Sequence, residues 1–451
     1  MAFTVSMTAA LALGAWAVYA GSLALEDASR GGRWIAVAAV AATTLGPALA
    51  LVADPKPFRT LALRFTEQPT GLSLIILQST TAMLVALGVV AVGAALVHRR
   101  PSFPTPVRVL VAYGLFMVLT SLWGGVFDPR QLIFPGLVIA GASCWATPPK
   151  RMVDPALVIL RTLLLGSLVV AIVLPEVAFG ELTQTQGGRF FGVLQLAGLV
   201  QYPNTLGSIA AVALILEIAG DNRTRRIPWI GLAATILIWS QSRNAWLMVI
   251  TALAVAALQR SARERAFGIV TLVGAAAVAA VAAGWTSLFG LTGRDEVWAV
   301  SIELFNSSPI VGHGLGAVRI ATEQNGILWS GTAHNQLAQS LAEGGLIGGI
   351  LAIGFFAAAF RSSTSAWRQG RWLPMALSAA MLARSAFDVT LVTGPELLIL
   401  VSILSVPWAP PRSSDRRRDG QSHEVGRTPG TPDPRVPGSA GDLSARPHDS
   451  E

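Results

Sequence analysis

Lysine is almost absent from this chain. Only Lys56 and Lys150 occur among 33 basic Lys and Arg residues, so nearly every positive charge is a guanidinium. Charge of either sign is scarce, at 13% of residues, where a soluble domain carries about 25%. With 53% hydrophobic residues and a mean hydropathy of +0.57, this excludes an ordinary soluble globular protein. Cysteine is reduced to Cys144, inside an apolar run. A single thiol excludes an intramolecular disulfide and a cysteine-based metal site, and it reads as a small buried hydrophobe. No P-loop and no glycine-rich nucleotide fingerprint occurs, so chemistry driven by cytoplasmic ATP is not supported. The first basic residue, Arg30, follows the first apolar run. Insertion through that first helix is therefore expected rather than a cleaved signal peptide.

What is present is a succession of apolar runs near the length that crosses a bilayer. They fall at about 4–25, 34–53, 71–97, 106–124, 131–145, 156–178, 205–219, 228–240, 245–258, 267–290, 344–360, 372–391 and 396–408. A β-barrel would show short alternating segments instead. The expected fold is all-α: a polytopic transmembrane helical bundle of about 12–13 spans, because the short runs 131–145, 228–240 and 396–408 leave room for one re-entrant or merged piece. Residues 1–409 read as the membrane domain. Residues 410–451, rich in Pro, Gly, Ser, Arg and Asp, read as a disordered cytoplasmic tail.

Orientation follows from arginine placement. Arg30/Arg33, His98–Arg100, Lys150-Arg151, Arg223/Arg225/Arg226, Arg260/Arg263/Arg265 and Arg361/Arg368/Arg371 fall in alternate loops and are assigned to the cytoplasm. The 54–70 loop, with Lys56, Arg59 and Arg64, is the one that disagrees. The formal net charge of +8 thus reads as topology, and no nucleic-acid partner is expected. This scheme puts the longest polar interruption of the membrane domain, about 291–343, on the external face. Asp295 to Asn306 suits an amphipathic helix with Val297, Ile302 and Leu304 as its apolar positions. Asn335 suits a helix N-cap, which places His334 at a helix N-terminal edge, where the dipole favours neutral imidazole. Two shorter external pieces carry Gly188-Arg189-Phe190-Phe191-Gly192 with Pro203-Asn204, and Ser242-Arg243-Asn244.

Arg189, Arg243, Arg294 and His334 therefore gather on one side. Planar guanidinium forks grip phosphate oxygens, so two or three of them suit a lipid diphosphate without a metal, and a neutral His can take a proton from a sugar hydroxyl. The competing reading is interfacial arginines on lipid headgroups and a structural histidine. His313, between two glycines, reads as a tolerated turn residue, and Asp295-Glu296 as a solvated helix start. Asp54 and Glu67 lack a recognisable metal-site spacing. Arg384 and Asp388 sit i,i+4 within an apolar run, which suits a structural ion pair or, alternatively, a proton-coupled transport site. Arg161 and Glu217, near span ends, are expected to snorkel.

Four pieces in order resemble the O-antigen ligase and O-antigen polymerase superfamily of polytopic glycosyltransferases, over about 185–360. They are Arg189 with Gly192 ahead of Pro203-Asn204; Ser242-Arg243; Gly293-Arg294 with Trp298, Pro309 and Gly312/Gly314; and His334-Asn335 with Glu343-Gly344. The resemblance implies transfer of a glycan from undecaprenyl diphosphate to an acceptor hydroxyl, with inversion and no cofactor or metal, in cell-surface polysaccharide assembly. Its implied catalytic residues are His334, Arg243 and Arg294, and its implied substrate-binding residues Arg189, Arg243, Arg294 and Asn335. The implied partners are the undecaprenyl-diphosphate-linked donor, a glycan or lipid acceptor, and the lipids of the plasma membrane. A repeat-unit polymerase of the same superfamily stays open beside a ligase. A secondary transporter or flippase is the alternative of another class.

Overall fold

The structure is a computed structural model that describes residues 28–53, 71–97, 104–126, 149–179, 194–200, 202–220, 223–259, 294–327, 331–391 and 394–406, with isolated residues at 131, 133 and 138. The runs 4–25 and 267–290, most of 131–145, the 54–70 loop with Asp54 and Glu67, Cys144, the Arg189 segment and the 410–451 tail lie outside the described residues.

All the regular structure described is helical: α1 (Ala28–Ala53), α2 (Gly71–Val97), α3 (Thr105–Trp123), α4 (Pro149–Val173), the single turn α5 (Pro175–Ala178), α6 (Pro203–Ala219), α7 (Arg223–Ser240), α8 (Arg243–Leu258), α9 (Arg294–Ser307), α10 (Ala317–Gln324), α11 (Gln336–Arg368), α12 (Leu373–Ser385) and α13 (Pro395–Leu404). The protein is a helical membrane bundle. Helix formation satisfies backbone groups within each segment, as a hydrocarbon environment requires. Four described helices are long and apolar enough to cross a membrane: Gly71–Gly88, Thr105–Trp123, Pro155–Val173 and Gln336–Arg368. Shorter apolar helices, such as Pro203–Ala219 and Arg243–Ala257, lie beside them. Proline opens α3, α6, α12 and α13 within the first two positions, where its missing N–H breaks no intrahelical bond.

Two expected runs end earlier than their hydropathy suggests. The run to 178 breaks at Leu174-Pro175, because Pro175 cannot continue the ladder of α4. The run to 391 is helical only to Ser385, and residues 386–391 form a loop that leads toward α13. Helix α11 starts at Gln336, directly after Asn335, the expected N-cap.

Chain direction sets the two ends of the bundle. The ends of α3, α7 and α12 and the starts of α8, α11 and α13 share one end. There the Ser121 hydroxyl accepts from the Leu315 amide, and Asn244 and Asn335 reach the 386–387 carbonyls. At the other end Glu217, 1% exposed, is gripped by Arg161 at 2.6 and 2.9 Å and by Arg226 at 3.4 Å. Arg161 also stacks 4.8 Å over the Trp229 ring. Arg161 and Glu217 thus pair with each other instead of snorkelling separately, since a buried carboxylate is retained only when matched by cations.

The segment between α9 and α11 has its own small core of Val297, Val300, Val318, Ile327, Ala333 and Ala342, with Leu304 packed against it. Ile302, an expected core position of α9, is 58% exposed. Val300 takes its place, because it shares a helix face with Val297 and Leu304.

Candidate active site

Helix α11 is two helices joined at a break. Gly345 sits at φ 59°, ψ −160°, inside the helical run. A break frees carbonyls on one side and N–H groups on the other. The 309–314 turn supplies both kinds of partner. His313 and Gly314 amides donate to the Ala342 and Glu343 carbonyls at 3.3 and 2.7 Å. Leu346 and Ile347 amides donate to the Pro309 and Ile310 carbonyls at 2.8 and 3.3 Å. Backbone lies directly on backbone, so a Cβ at Gly345 would collide with the Ile310 carbonyl. The Glu343 carboxylate accepts from the Gly316 amide at 2.7 Å. His313 places its Nε2 2.8 Å from the Ser307 hydroxyl and 3.0 Å from the Leu304 carbonyl, tying this turn to the end of α9.

The first half of α11 presents His334. Asn335 is the N-cap; its Oδ1 accepts from the Ala338 amide at 3.0 Å, and its Nδ2 donates to the Ala386 carbonyl at 2.9 Å. Both polar atoms of Asn335 thus have partners in the protein. His334 itself has φ 49°, in the left-handed region, which costs an L residue roughly 1–2 kcal/mol. Fixed neighbours hold it there. The Ala333 amide donates to Gln339 Oε1 at 2.7 Å, and the Ala333 carbonyl accepts from Trp298 Nε1 at 2.7 Å. Gln336, 3% exposed, accepts from the Thr390 and Leu391 amides at 2.8 and 2.7 Å and donates to the Tyr113 and Ser340 hydroxyls.

Arg294 and Arg243 come from the first residues of two other helices. Arg294 opens α9, whose first turn carries the exposed Asp295 and Glu296, placed to complement the helix dipole. Arg243 opens α8, an exposed residue after the Ser242 cap, and follows a tight turn in which Gln241 has φ 51°. The 386–391 loop contributes Asp388. The loop backbone is held at Phe387 by Asn244, at Ala386 by Asn335 and at Thr390 by Gln336, and the Asp388 side chain by Arg384, which donates to Asp388 at 3.1 Å and to Glu396 at 3.2 Å. The expected Arg384–Asp388 pair is present, with Glu396 as a second carboxylate and with Asp388 just beyond the helix end.

These groups act on one another. Burial pushes the His334 imidazole down to about 4, the Arg294 guanidinium pushes it the same way, and the Asp388 carboxylate opposes them. Burial also lowers Arg294; Asp388 opposes that, and Arg243 adds to it by repulsion. Arg243, Arg294, His334 and Asp388 thus share one electrostatic neighbourhood, drawn from α8, α9, the α11 N-terminus and the α12–α13 connection. Arg189 lies outside the described residues. Asp388 was not among the expected site residues, because its spacing from Arg384 gave it a partner already.

An all-α membrane bundle with two arginines, a histidine and a carboxylate at one end defines a class of membrane protein with a polar, charged site at that end. Residues 229–353 match the O-antigen ligase family, and the match supports the O-antigen ligase/polymerase superfamily. Arg243, Arg294, His334 and Asn335 fall inside the matched segment, and Asp388 outside it. A search of curated proteins found no match to the chain.

Proposed function

We propose that the protein transfers a glycan from undecaprenyl diphosphate to an acceptor hydroxyl at the external face of the plasma membrane. The family match supports an enzyme of ligase or polymerase type. The observation that carries the finer reading is the shared field of Arg243, Arg294, His334 and Asp388. Two guanidinium groups that repel each other gain most from a ligand with two negative charges between them. The diphosphate of the donor is such a ligand, and the two cations supply its charge balance without a metal. Arg189, on the preceding external segment, is assigned to the donor side as well. Asn335 contributes by fixing the loop that presents His334 to the substrates.

His334 is neutral above about pH 4 in the free site, so at neutral pH its lone pair is available. Bound diphosphate cancels the repulsion from Arg294 and raises the basicity of the imidazole, so donor binding prepares the base. His334 then takes the proton of the acceptor hydroxyl as that oxygen bonds to the anomeric carbon. The bond from that carbon to the diphosphate oxygen breaks, and undecaprenyl diphosphate leaves with the electron pair. In-line displacement inverts the anomeric centre. Asp388 stabilises the imidazolium that forms. The basic end of the bundle, with Arg161, Arg225, Arg226 and Arg368, lies opposite the site, which supports an external site under the positive-inside rule.

Reconstitution with undecaprenyl-diphosphate oligosaccharide tests this. Transfer to an added acceptor is expected for a ligase, and a lipid-attached ladder for a polymerase. Ion-coupled flux with no glycan turnover overturns the proposal.

A further inference from the structure

We infer that Trp298 is a positioning residue for this transfer, holding the Ala333 carbonyl and thereby fixing His334 relative to the diphosphate site on the same helix. The inference rests on the function proposed above.

The geometry begins on α9. Arg294 and Trp298 are four residues apart in one helix, so they share a face and their separation is fixed by the helix itself. The Trp298 indole N–H reaches the Ala333 carbonyl at 2.7 Å. Ala333 is fully buried in the small core with Val297, Val300 and Val318. Its amide goes to Gln339 at 2.7 Å, so the residue before His334 is tied at both its N–H and its carbonyl. His334 adopts a left-handed conformation that a non-glycine residue leaves readily when its neighbours are free. One rigid helix therefore places the diphosphate-holding arginine and locks the loop of the base. Indole suits this task, because it has a donor and no acceptor, and its ring packs against apolar surface.

Release of this tie lets His334 move toward solvent. The charged groups that act on it are Arg294 from α9, which disfavours the imidazolium, and Asp388 from the α12–α13 connection, which favours it. Burial is the largest contribution, so loosening shifts the imidazole up from about 4 toward its ordinary 6.5. The acid limb of kcat/KM, which reports the free enzyme, moves with it, because protonated His334 cannot accept a proton.

The test is Trp298→Phe in the full-length reconstituted protein, which keeps an aromatic ring and removes the N–H. The expected result is a fall in kcat of about tenfold, the effect of losing roughly 1.4 kcal/mol of positioning. Donor KM stays within about twofold, the loss of one uniform contact being absent, and the acid limb moves up from about 4 toward 6.5. Partial rescue is expected from Trp298→His, which restores a ring N–H. A merely structural role lowers folded yield and leaves the limb where it is, and that outcome overturns the inference. If Trp298→Phe does not purify as monodisperse protein, Gln339→Met frees the N–H of the same residue, Ala333. It carries the same expected limb shift, and an unmoved limb there overturns the inference equally. Absence of transfer by the wild-type protein is a separate result, which removes the proposed function and the inference with it.

Discussion

Arg243 illustrates what a single residue type can and cannot disclose. Its position between the apolar runs 228–240 and 245–258, on a short external piece, was legible. The partners that give it meaning come from three distant stretches: Arg294 shares its field with Arg243, and both His334 and Asp388 act around Arg294. Residue identity and order along the chain picked out Arg243, Arg294 and His334 as candidates. Asp388 escaped because a carboxylate four residues from an arginine has a sufficient local explanation. The arginine's contribution should depend on shape as much as on charge. Arg243→Lys keeps the charge and loses the planar fork. We expect the donor KM to rise about tenfold or more, the loss of one charge-assisted bond of roughly 1.5–3 kcal/mol, with kcat much less affected. Steady-state kinetics against donor concentration read this, and an unchanged donor KM removes Arg243 from the diphosphate site.

At the scale of elements, the most consequential feature is the break in α11. Pro309, Gly312 and Gly314 stood out around the His313 turn, and Glu343-Gly344 as a motif piece at the edge of the 344–360 run. Nothing in either stretch showed that the turn closes the break. That pairing is backbone to backbone, and backbone partners leave no trace in residue type beyond a demand for glycine where chains approach. Gly345 meets both demands, with its positive φ and its contact with the Ile310 carbonyl. Gly345→Ala should destabilise the protein by about 1–3 kcal/mol from backbone strain alone, with the collision added, and should displace the turn that carries the Glu343–Gly316 bond. Gly354→Ala in the second half of the same helix meets only Val109 at 3.6 Å and should be neutral or stabilising by up to about 1 kcal/mol. Thermal unfolding of the two variants in one detergent separates them. Equal melting temperatures contradict this reading of the break. The amphipathic helix α9 shows a similar limit: its existence followed from pattern, while the choice of Val300 over Ile302 for the core depended on where α10 and α11 lie.

For the whole molecule, hydropathy delivered the class of fold, and ten of the apolar runs fall on described helices, five of them with both ends within four residues. What it could not deliver were the ends where polar groups decide, as at Leu174-Pro175 and Ser385. It also could not show the joining of Arg161 to Glu217 and Arg226 across three helices, since pairing between helices depends on their arrangement and not on position in one run. The bundle holds two charged assemblies at opposite ends. One is closed on itself around Glu217, and the other presents Arg243, Arg294 and His334. The proposed mechanism turns on His334 as the proton acceptor. The decisive measurement is single-turnover glycan transfer by His334→Ala, reconstituted with undecaprenyl-diphosphate oligosaccharide and acceptor, beside donor binding by the same preparation. We predict transfer lowered by about 10²–10⁴-fold, the usual contribution of a general base, with donor binding retained through Arg243 and Arg294. Transfer within a few-fold of wild type would contradict it.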